Sequence, residues 1–338
     1  MIEKQRYFIS EYAEDYFFHG GIGIIDAERV LQKKGFIAIR MPFHFSFSFG
    51  AKLSRLWYCL NLLRSVKPGS RVVFIHPLHA KLNKWLVRRL VKRKINVICM
   101  IGDINGLKDG DEDLLAEEIK ELKRFSNFIV HNQAMKNWIE EKFPGSKSEM
   151  IEFFDFLTSP IEVKRNKEDR IVFAGNLDKS KFLEELHNLS PHFNLYGPGI
   201  THTMLDQANV EYHGIIDPYE LPAKLTGSFG LVWDGEGITG LKGSLGSYMQ
   251  FISHHKLSLY ILAGLPIIVA CHAGSAMLVE KYRIGICVNS LQEVQSRIAQ
   301  ITDANYQQMI GNMKPLAMKI AAGNCLSSAL DRMMEKGS

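Results

Sequence analysis

The chain is 338 residues long, more than one simple core accommodates, so two domains of about 150 residues are expected. It is 46% hydrophobic and 23% charged, the balance of a soluble globular protein. Its formal net charge of +5 is too small to imply nucleic acid as a partner.

Cys59, Cys99, Cys271, Cys287 and Cys325 have neither CxxC nor metal-ligand spacing, which predicts a reduced, cytoplasmic protein. The opening residues MIEKQRYFISEYAEDYF carry charge throughout and lack the apolar centre of a signal peptide. The longest apolar run, Leu257–Ala270, falls short of the roughly 20 residues a spanning helix needs, and Gly264 and Pro266 break it.

In chain order, Tyr7–Ser10, Phe36–Met41, Val72–His76, Val97–Ile101 and Phe128–His131 are short and rich in β-branched or aromatic residues. Between them, Ile22–Lys34, Ala51–Val66, Ala80–Lys94, Asp111–Arg124 and Gln133–Lys142 have apolar residues at helical spacing. This alternation predicts βαβ units and a parallel, doubly wound sheet spanning residues 1–157. The polar segment Thr158–Asp169 (TSPIEVKRNKED) reads as a linker.

A second alternation then runs over residues 170–319. Its expected strands are Arg170–Ala174, Phe193–Tyr196, Val210–His213, Phe229–Trp233, Pro266–Ala270 and Ile284–Val288, with helices near Lys179–Asn188 and after His255. The last helix, over about residues 320–338, is placed to pack back across the linker. The fold class is therefore α/β, two doubly wound Rossmann-like domains facing a central cleft, where the site is expected.

Ligands in such folds collect beyond the C-terminal ends of strands. Three loops of the second domain qualify. Gly175-Asn176-Leu177-Asp178-Lys179 combines a tight glycine turn with a cation. Tyr196-Gly197-Pro198-Gly199 sets a rigid turn beside an aromatic ring able to pack on a base. The strand ending at Asp234 leads through a polar loop to a helix opening at His255, with Lys256 and Ser258 in its first turn. Backbone N–H groups and the dipole at such a helix start favour a phosphate. Taken singly, Gly-Asn and Gly-Pro-Gly are ordinary loop chemistry and one lysine on a helix is usually solvated.

In the first domain, His19-Gly20-Gly21 is a glycine turn where backbone can approach phosphate. It is not GxGxxG with an acidic partner downstream, which disfavours a nicotinamide-dependent oxidoreductase. Asp103 directly follows the strand INVICMI and is the first candidate for a general base; a turn or capping aspartate is the equal alternative. His76 at the end of the preceding strand is the second. Asp234 and Glu236 are candidates for hydrogen bonds to ligand hydroxyls or for solvated loop acids. Asp111-Glu112-Asp113 resembles a metal-binding Asp-x-Asp, but these acids open an amphipathic helix, where the dipole favours them.

FAGNLDKSKFL, GLVWDG and HKLSLYILAGLPIIV resemble bacterial glycosyltransferases of the GT-B fold. Within them the similarity is to the Gtf-three-like glucosyltransferases and β-1,6-galactofuranosyltransferases of surface polysaccharide synthesis. IGDINGLKDGDEDLLAEEIKELKRFSNFIVHNQAMKNWI resembles the same family's "HD-I-x-x-LR" segment and the helix and strand after it. The resemblance runs from about Val97 to Val294.

It implies inverting, metal-independent transfer of a hexose, galactofuranose or glucose, from a UDP-sugar to a saccharide or lipid-linked glycan acceptor, with no cofactor. By the same resemblance, Lys179 contacts the diphosphate, Tyr196 lies on the nucleotide side, and His255, Lys256 and Ser258 form the diphosphate-binding helix start. The chain departs from the family where Asn-Asn-Pro is replaced by Ile252-Ser253-His254, His-Asp by Gly102-Asp103, and Leu-Arg by Leu107-Lys108.

Met41–Leu63 is aromatic-rich and Lys81–Lys94 strongly basic. A buried core with a solvated basic helix, peripheral contact with anionic lipid at the inner face of the membrane, and a homo-oligomer interface all fit that pattern. A non-catalytic subunit binding nucleotide or a partner enzyme is the alternative function; an acid at Asp103 together with Lys179 and Lys256 speaks against it.

Overall fold

The computed structural model describes residues 5–11, 21–40, 49–162 and 164–335. His19, Gly20 and the aromatic stretch at 41–48 lie outside the described residues. The β-branched runs of the first half become β1 (Arg6–Ser10), β2 (Ile37–Arg40), β3 (Arg71–His76), β4 (Asn96–Ile101), β5 (Asn127–Val130) and β6 (Lys147–Met150). The periodic segments between them become α1 (Ile22–Lys33), α2 (Phe49–Ser65), α3 (Lys81–Lys92), α4 (Asn105–Asp109), α5 (Glu112–Leu122) and α6 (Gln133–Lys142). The strands form one six-stranded sheet in the order β2-β1-β3-β4-β5-β6, all pairs parallel. Helices cover both faces, because a parallel sheet must bury both.

The second half repeats the plan. Its strands are β7 (Arg170–Ala174), β8 (His192–Tyr196), β9 (Val210–Tyr212), β10 (Phe229–Val232), β11 (Ile267–Ala270) and β12 (Gly285–Val288). Their order is β12-β11-β10-β7-β8-β9, again all parallel. The helices are α7 (His202–Leu205), α8 (Leu221–Lys224), α9 (Gly243–Tyr248), α10 (His255–Leu262), α11 (Ala276–Tyr282), α12 (Val294–Ala299), α13 (Asp303–Ala321) and α14 (Asn324–Glu335). Where a helix is expected after Lys179, the chain makes a 3-10 helix, Lys181–Asn188. The core of this half is mainly aliphatic, with Phe173, Phe229, Trp233 and Tyr260 fully buried within it.

The C-terminal helix returns to the first sheet. Leu326, Ala329 and Leu330 of α14 pack with Phe8, Val30, Val73 and Ile98. The Asp155 carboxylate caps α14, accepting the N–H groups of Cys325 and Leu326 at 2.9 Å each. The 158–169 segment is fastened along the second half: Arg165 is buried and donates to the carbonyls of Ala263, Gly227 and Leu225.

Two further contacts cross the cleft. Near its mouth, the Tyr219 hydroxyl donates to Asp26 of α1 at 2.8 Å, and Arg29 donates to that hydroxyl. On the other side, the loop from β10 to α10 reaches over, so that Tyr248 sits in the core of the first sheet. Because every strand is parallel within its sheet, both sheets bring their C-terminal edges to the space between these contacts.

Candidate active site

That space is a cavity of about 610 Å³, lined from both halves of the molecule. Two helix N-termini open on it. Ile22, Gly23 and Ile24 of α1 come from the first half, and His254, His255 and Lys256 at the start of α10 from the second. The two turns touch: a Cβ on Gly23 would stand 3.2 Å from the His255 ring. First-turn N–H groups and the positive ends of two helix dipoles make this the most favourable place in the cleft for an anion. Lys179 also lines the cavity and is exposed, with no ion pair among the described residues.

Lys256 is not the free cation that its sequence position suggests. Its Nζ lies 3.4 Å from Asp234 Oδ1 and 4.1 Å from the centre of the Phe173 ring. His254 Nε2 holds the other oxygen of Asp234 at 3.1 Å. Burial works to raise the Asp234 carboxyl, but Lys256 and then His254 outweigh it and hold it at about 2. Asp234, a candidate ligand contact or loop acid, is therefore the anchor that holds Lys256 and His254 at the cavity wall.

The glycine turns are required by close approach. Gly197 has φ +124, and a Cβ there would fall 1.9 Å from the carbonyl oxygen of Gly175. On Gly175 itself, a Cβ would meet Lys256 Cε at 3.0 Å. Backbone thus presses against backbone at the ends of β7 and β8, with Gly175 N donating to Tyr196 O at 3.0 Å. Asn176, beside them, lines the cavity and is exposed.

Several sequence expectations change here. Tyr196 touches the cavity but is only 2% exposed. Its ring is stacked on His213 at 4.7 Å and its hydroxyl pairs with Thr226 at 2.9 Å, so no ring face is left for a base. An apolar wall of Pro198, Ile216, Pro218 and Leu221 stands nearby instead. Ser258 is fully buried, lies outside the cavity lining, and donates to the Phe154 carbonyl at 2.6 Å. It is on the inner face of α10.

The His255 side chain is a poor partner for phosphate as well. Burial, offset only in part by the Asp155 carbonyl, lowers it to about 4, so it is neutral. Its Nε2 is buried without a partner among the described residues. The ring's other nitrogen serves Asp155, which leaves Nε2 an acceptor, suited to a hydroxyl rather than to an anion. Of the first-domain glycine turn, Gly21 is the N-cap of α1.

Asp103 stands on the opposite wall, following β4. Its Oδ2 is 2.8 Å from Lys108 Nζ, and its Oδ1 accepts from the Tyr248 hydroxyl at 3.1 Å. The Tyr248 oxygen in turn accepts from Ile104 N at 2.9 Å. Burial first, and then Asp103, raise the Tyr248 phenol well above its ordinary value, so it stays a hydrogen-bond donor. Asp103 is about one-third exposed and borders both the main cavity and an adjoining pocket of about 220 Å³.

His76 lines that smaller pocket too, but it is buried and its Nε2 lies 3.3 Å from Glu118 Oε1. Burial works to raise Glu118, and His76 and the N–H of Gly106, followed by that of Asn105, outweigh it and hold the carboxyl below its ordinary range. His76 therefore faces a carboxylate already committed to the start of α4. The Asp111 side chain caps α5, accepting from Leu114 N at 2.9 Å.

Sequence reasoning passed over Tyr248 and the roles of His131 and His254. His131 is buried at the end of β5, with Nε2 2.9 Å from Ile101 O and Nδ1 accepting from Ser253 N at 3.4 Å. Burial lowers it to about 4. Its strand-end position was the only signal available.

Two parallel Rossmann-like sheets meeting at a cleft, with helix starts from both sides, define the GT-B architecture. Among solved structures, WaaG, a glycosyltransferase involved in lipopolysaccharide biosynthesis, superposes with a TM-score of 0.53 at 13% identity, covering 97% of this chain and 99% of that one. That likeness is one of fold.

The Glucosyltransferase 3-like family model for the N-terminal domain matches residues 7–151, and the model for its C-terminal domain matches residues 171–333. The chain belongs to the Glucosyltransferase 3-like family. It is 27% identical over 248 residues to Beta-1,6-galactofuranosyltransferase WbbI of Escherichia coli (strain K12), 72% of each chain. It is also 27% identical over 168 residues to Glucosyltransferase 3 of Streptococcus gordonii, covering 49% of this chain and 48% of that protein.

Proposed function

We propose that the protein transfers a hexose, galactofuranose or glucose, from a UDP-sugar to a saccharide acceptor with inversion and without a metal. The observation that carries this reading is the meeting of two helix N-termini, one from each half, with Lys179 and Lys256 at one cavity. Sugar transfer puts positive charge on the ring and negative charge on the departing diphosphate. Fixed N–H groups and lysines at the leaving group supply what a metal would otherwise supply.

The diphosphate lies against the α1 and α10 starts, and the nucleobase against the Pro198, Ile216 and Leu221 wall. Asp103 takes the proton of the acceptor hydroxyl as that oxygen bonds to the anomeric carbon. The bond from that carbon to the phosphate oxygen breaks, and its electrons leave with UDP. Tyr248 and Lys108 hold the carboxylate in place, which fixes its direction. The 235–254 loop, carrying Tyr248 and His254, is where the choice of sugar is made. The names of the relatives support a hexose donor.

The test is a thermal-shift panel of UDP-, GDP-, dTDP- and CDP-sugars with EDTA present, followed by donor turnover with the best binder. A ligand that binds the native state raises apparent stability as RT ln(1 + [L]/Kd). UDP-glucose or UDP-galactofuranose should give the largest shift without metal. A response that needs a divalent ion, or that favours another nucleotide, overturns the reading.

A further inference from the structure

We propose that the outer face of α2, with the basic shell of α3 beside it, docks on an anionic lipid bilayer. Phe49, Leu53, Leu56, Trp57 and Leu60 are between 39% and 78% exposed. They make up half of the ten large hydrophobics exposed among the described residues. At 3.6 residues per turn they fall within an arc of about 100°, a single apolar stripe facing outward. The buried-core explanation of this aromatic segment therefore does not hold for that face; only Cys59 and Leu63 of α2 are buried.

Charge identifies what covers the stripe. Residues 29–102 contain sixteen Lys and Arg and no Asp or Glu, whereas the whole chain is only +5. The remainder, with 25 Lys and Arg against 36 Asp and Glu, is net acidic. Lys52 and Arg64 flank the stripe on α2, and Lys81, Arg89 and Lys92 are exposed on α3. Arg89 is spread over the Trp85 ring, 5.4 Å from its centre.

A second copy of the chain would set two such basic faces against each other, which costs energy. A nucleic acid would leave the Leu and Trp stripe uncovered. An anionic bilayer meets both demands, since apolar side chains enter the acyl boundary while lysines and arginines hold the headgroups. No helix among the described residues is long and apolar enough to cross a membrane. The contact is therefore peripheral.

The placement bears on the cleft. Helix α3 follows the C-terminal end of β3 with α2 packed against it, and Lys81 follows Pro77–His79, which line the pocket beside Asp103. A bilayer on this face lies next to the wall assigned to the acceptor. The docking itself does not depend on the sugar-transfer reading.

The test is sedimentation of the full chain with vesicles of phosphatidylcholine, or of phosphatidylcholine with about one-third phosphatidylglycerol. The protein should pellet with the anionic vesicles at low salt, stay in solution with the neutral ones, and be released as salt rises to about 0.5 M. The exposed double variant Leu53→Ser/Trp57→Ser should partition about tenfold less or weaker still, with an unchanged circular-dichroism spectrum as the check on folding. No pelleting with anionic vesicles overturns the proposal, and so does equal pelleting of the double variant. A dimer in light scattering that the variant abolishes, without vesicle binding, assigns the face to a second copy and overturns it as well.

Discussion

Apart from the exposed Asn176 and Lys179, the second-domain wall of the cleft is made largely of groups already engaged with one another. Gly175 and Gly197 press backbone to backbone, Asp234 binds both Lys256 and His254, and Tyr196 is sealed between His213 and Thr226. The first-domain wall presents one partly exposed carboxylate, Asp103, steadied by a phenol and a lysine, above a small pocket. One wall is a rigid mould whose shape is set by close contact. The other offers a directed carboxylate with open space in front of it. A leaving diphosphate needs preorganised charge, whereas an acceptor must enter and leave, so the asymmetry follows the roles proposed for the two sides.

Substitutions on each wall should therefore fail differently. Asp103→Asn removes the proposed base and keeps the shape, so kcat should fall by roughly 10² to 10⁴ while the Kd for UDP stays within about twofold. Steady-state kinetics beside calorimetry check this; a kcat loss under tenfold removes Asp103 from the base role. Gly197→Ala forces a Cβ into the Gly175 carbonyl at a backbone angle suited to glycine. It should cost about 3 kcal/mol or more in urea unfolding and reduce UDP affinity with it. Tolerance of that change would mean the two turns are not the tight pair described.

The buried histidines add a pH signature. His131 and His255 are each lowered by burial from 6.5 to about 4, so as pH falls below 6.5 the unfolded chain takes up their protons first and stability is lost down to about 4. Asp155 acts the other way: burial raises it from 3.8 to about 6, so the folded state gains as pH falls through 6 towards 3.8. Between pH 7.5 and 5 the net loss should be roughly 2 to 3 kcal/mol by proton linkage. Denaturant midpoints at the two pH values check it, and a rise in stability on acidification contradicts the neutral, buried assignment. The smallest effect is expected of Ser258→Ala, about 1 kcal/mol of stability from the lost bond to Phe154 O, with UDP affinity unchanged.

Much of this plan is legible in the residues alone. Strands such as RVVFIH and NVICMI carry continuous apolar runs, which is what burial on both faces of a parallel sheet demands. Strand β6, KSEM, lies at the sheet edge and is mostly polar and charged, so it has no such signature. The site is legible as a set of strand ends, because parallel topology sends them all to one side.

Which side chains are free is not legible. Ser258 is satisfied by a carbonyl 104 residues away, and Tyr196 by a hydroxyl 30 residues away. Tyr248 reaches Asp103 across 145 residues, and nothing local marks it. Sequence position shows where a group is carried; packing decides whether it is still available.

The central claim is that the donor diphosphate is held where α1 and α10 begin, by Lys179, Lys256 and backbone N–H groups without a metal. Isothermal titration of UDP, in EDTA, into the wild-type chain and into Lys179→Ala/Lys256→Ala tests it most directly. The expected result is metal-free binding that weakens by about 100-fold in the double variant, as two charge-assisted contacts are lost. Equal affinity in the two proteins, with both folded, would contradict it.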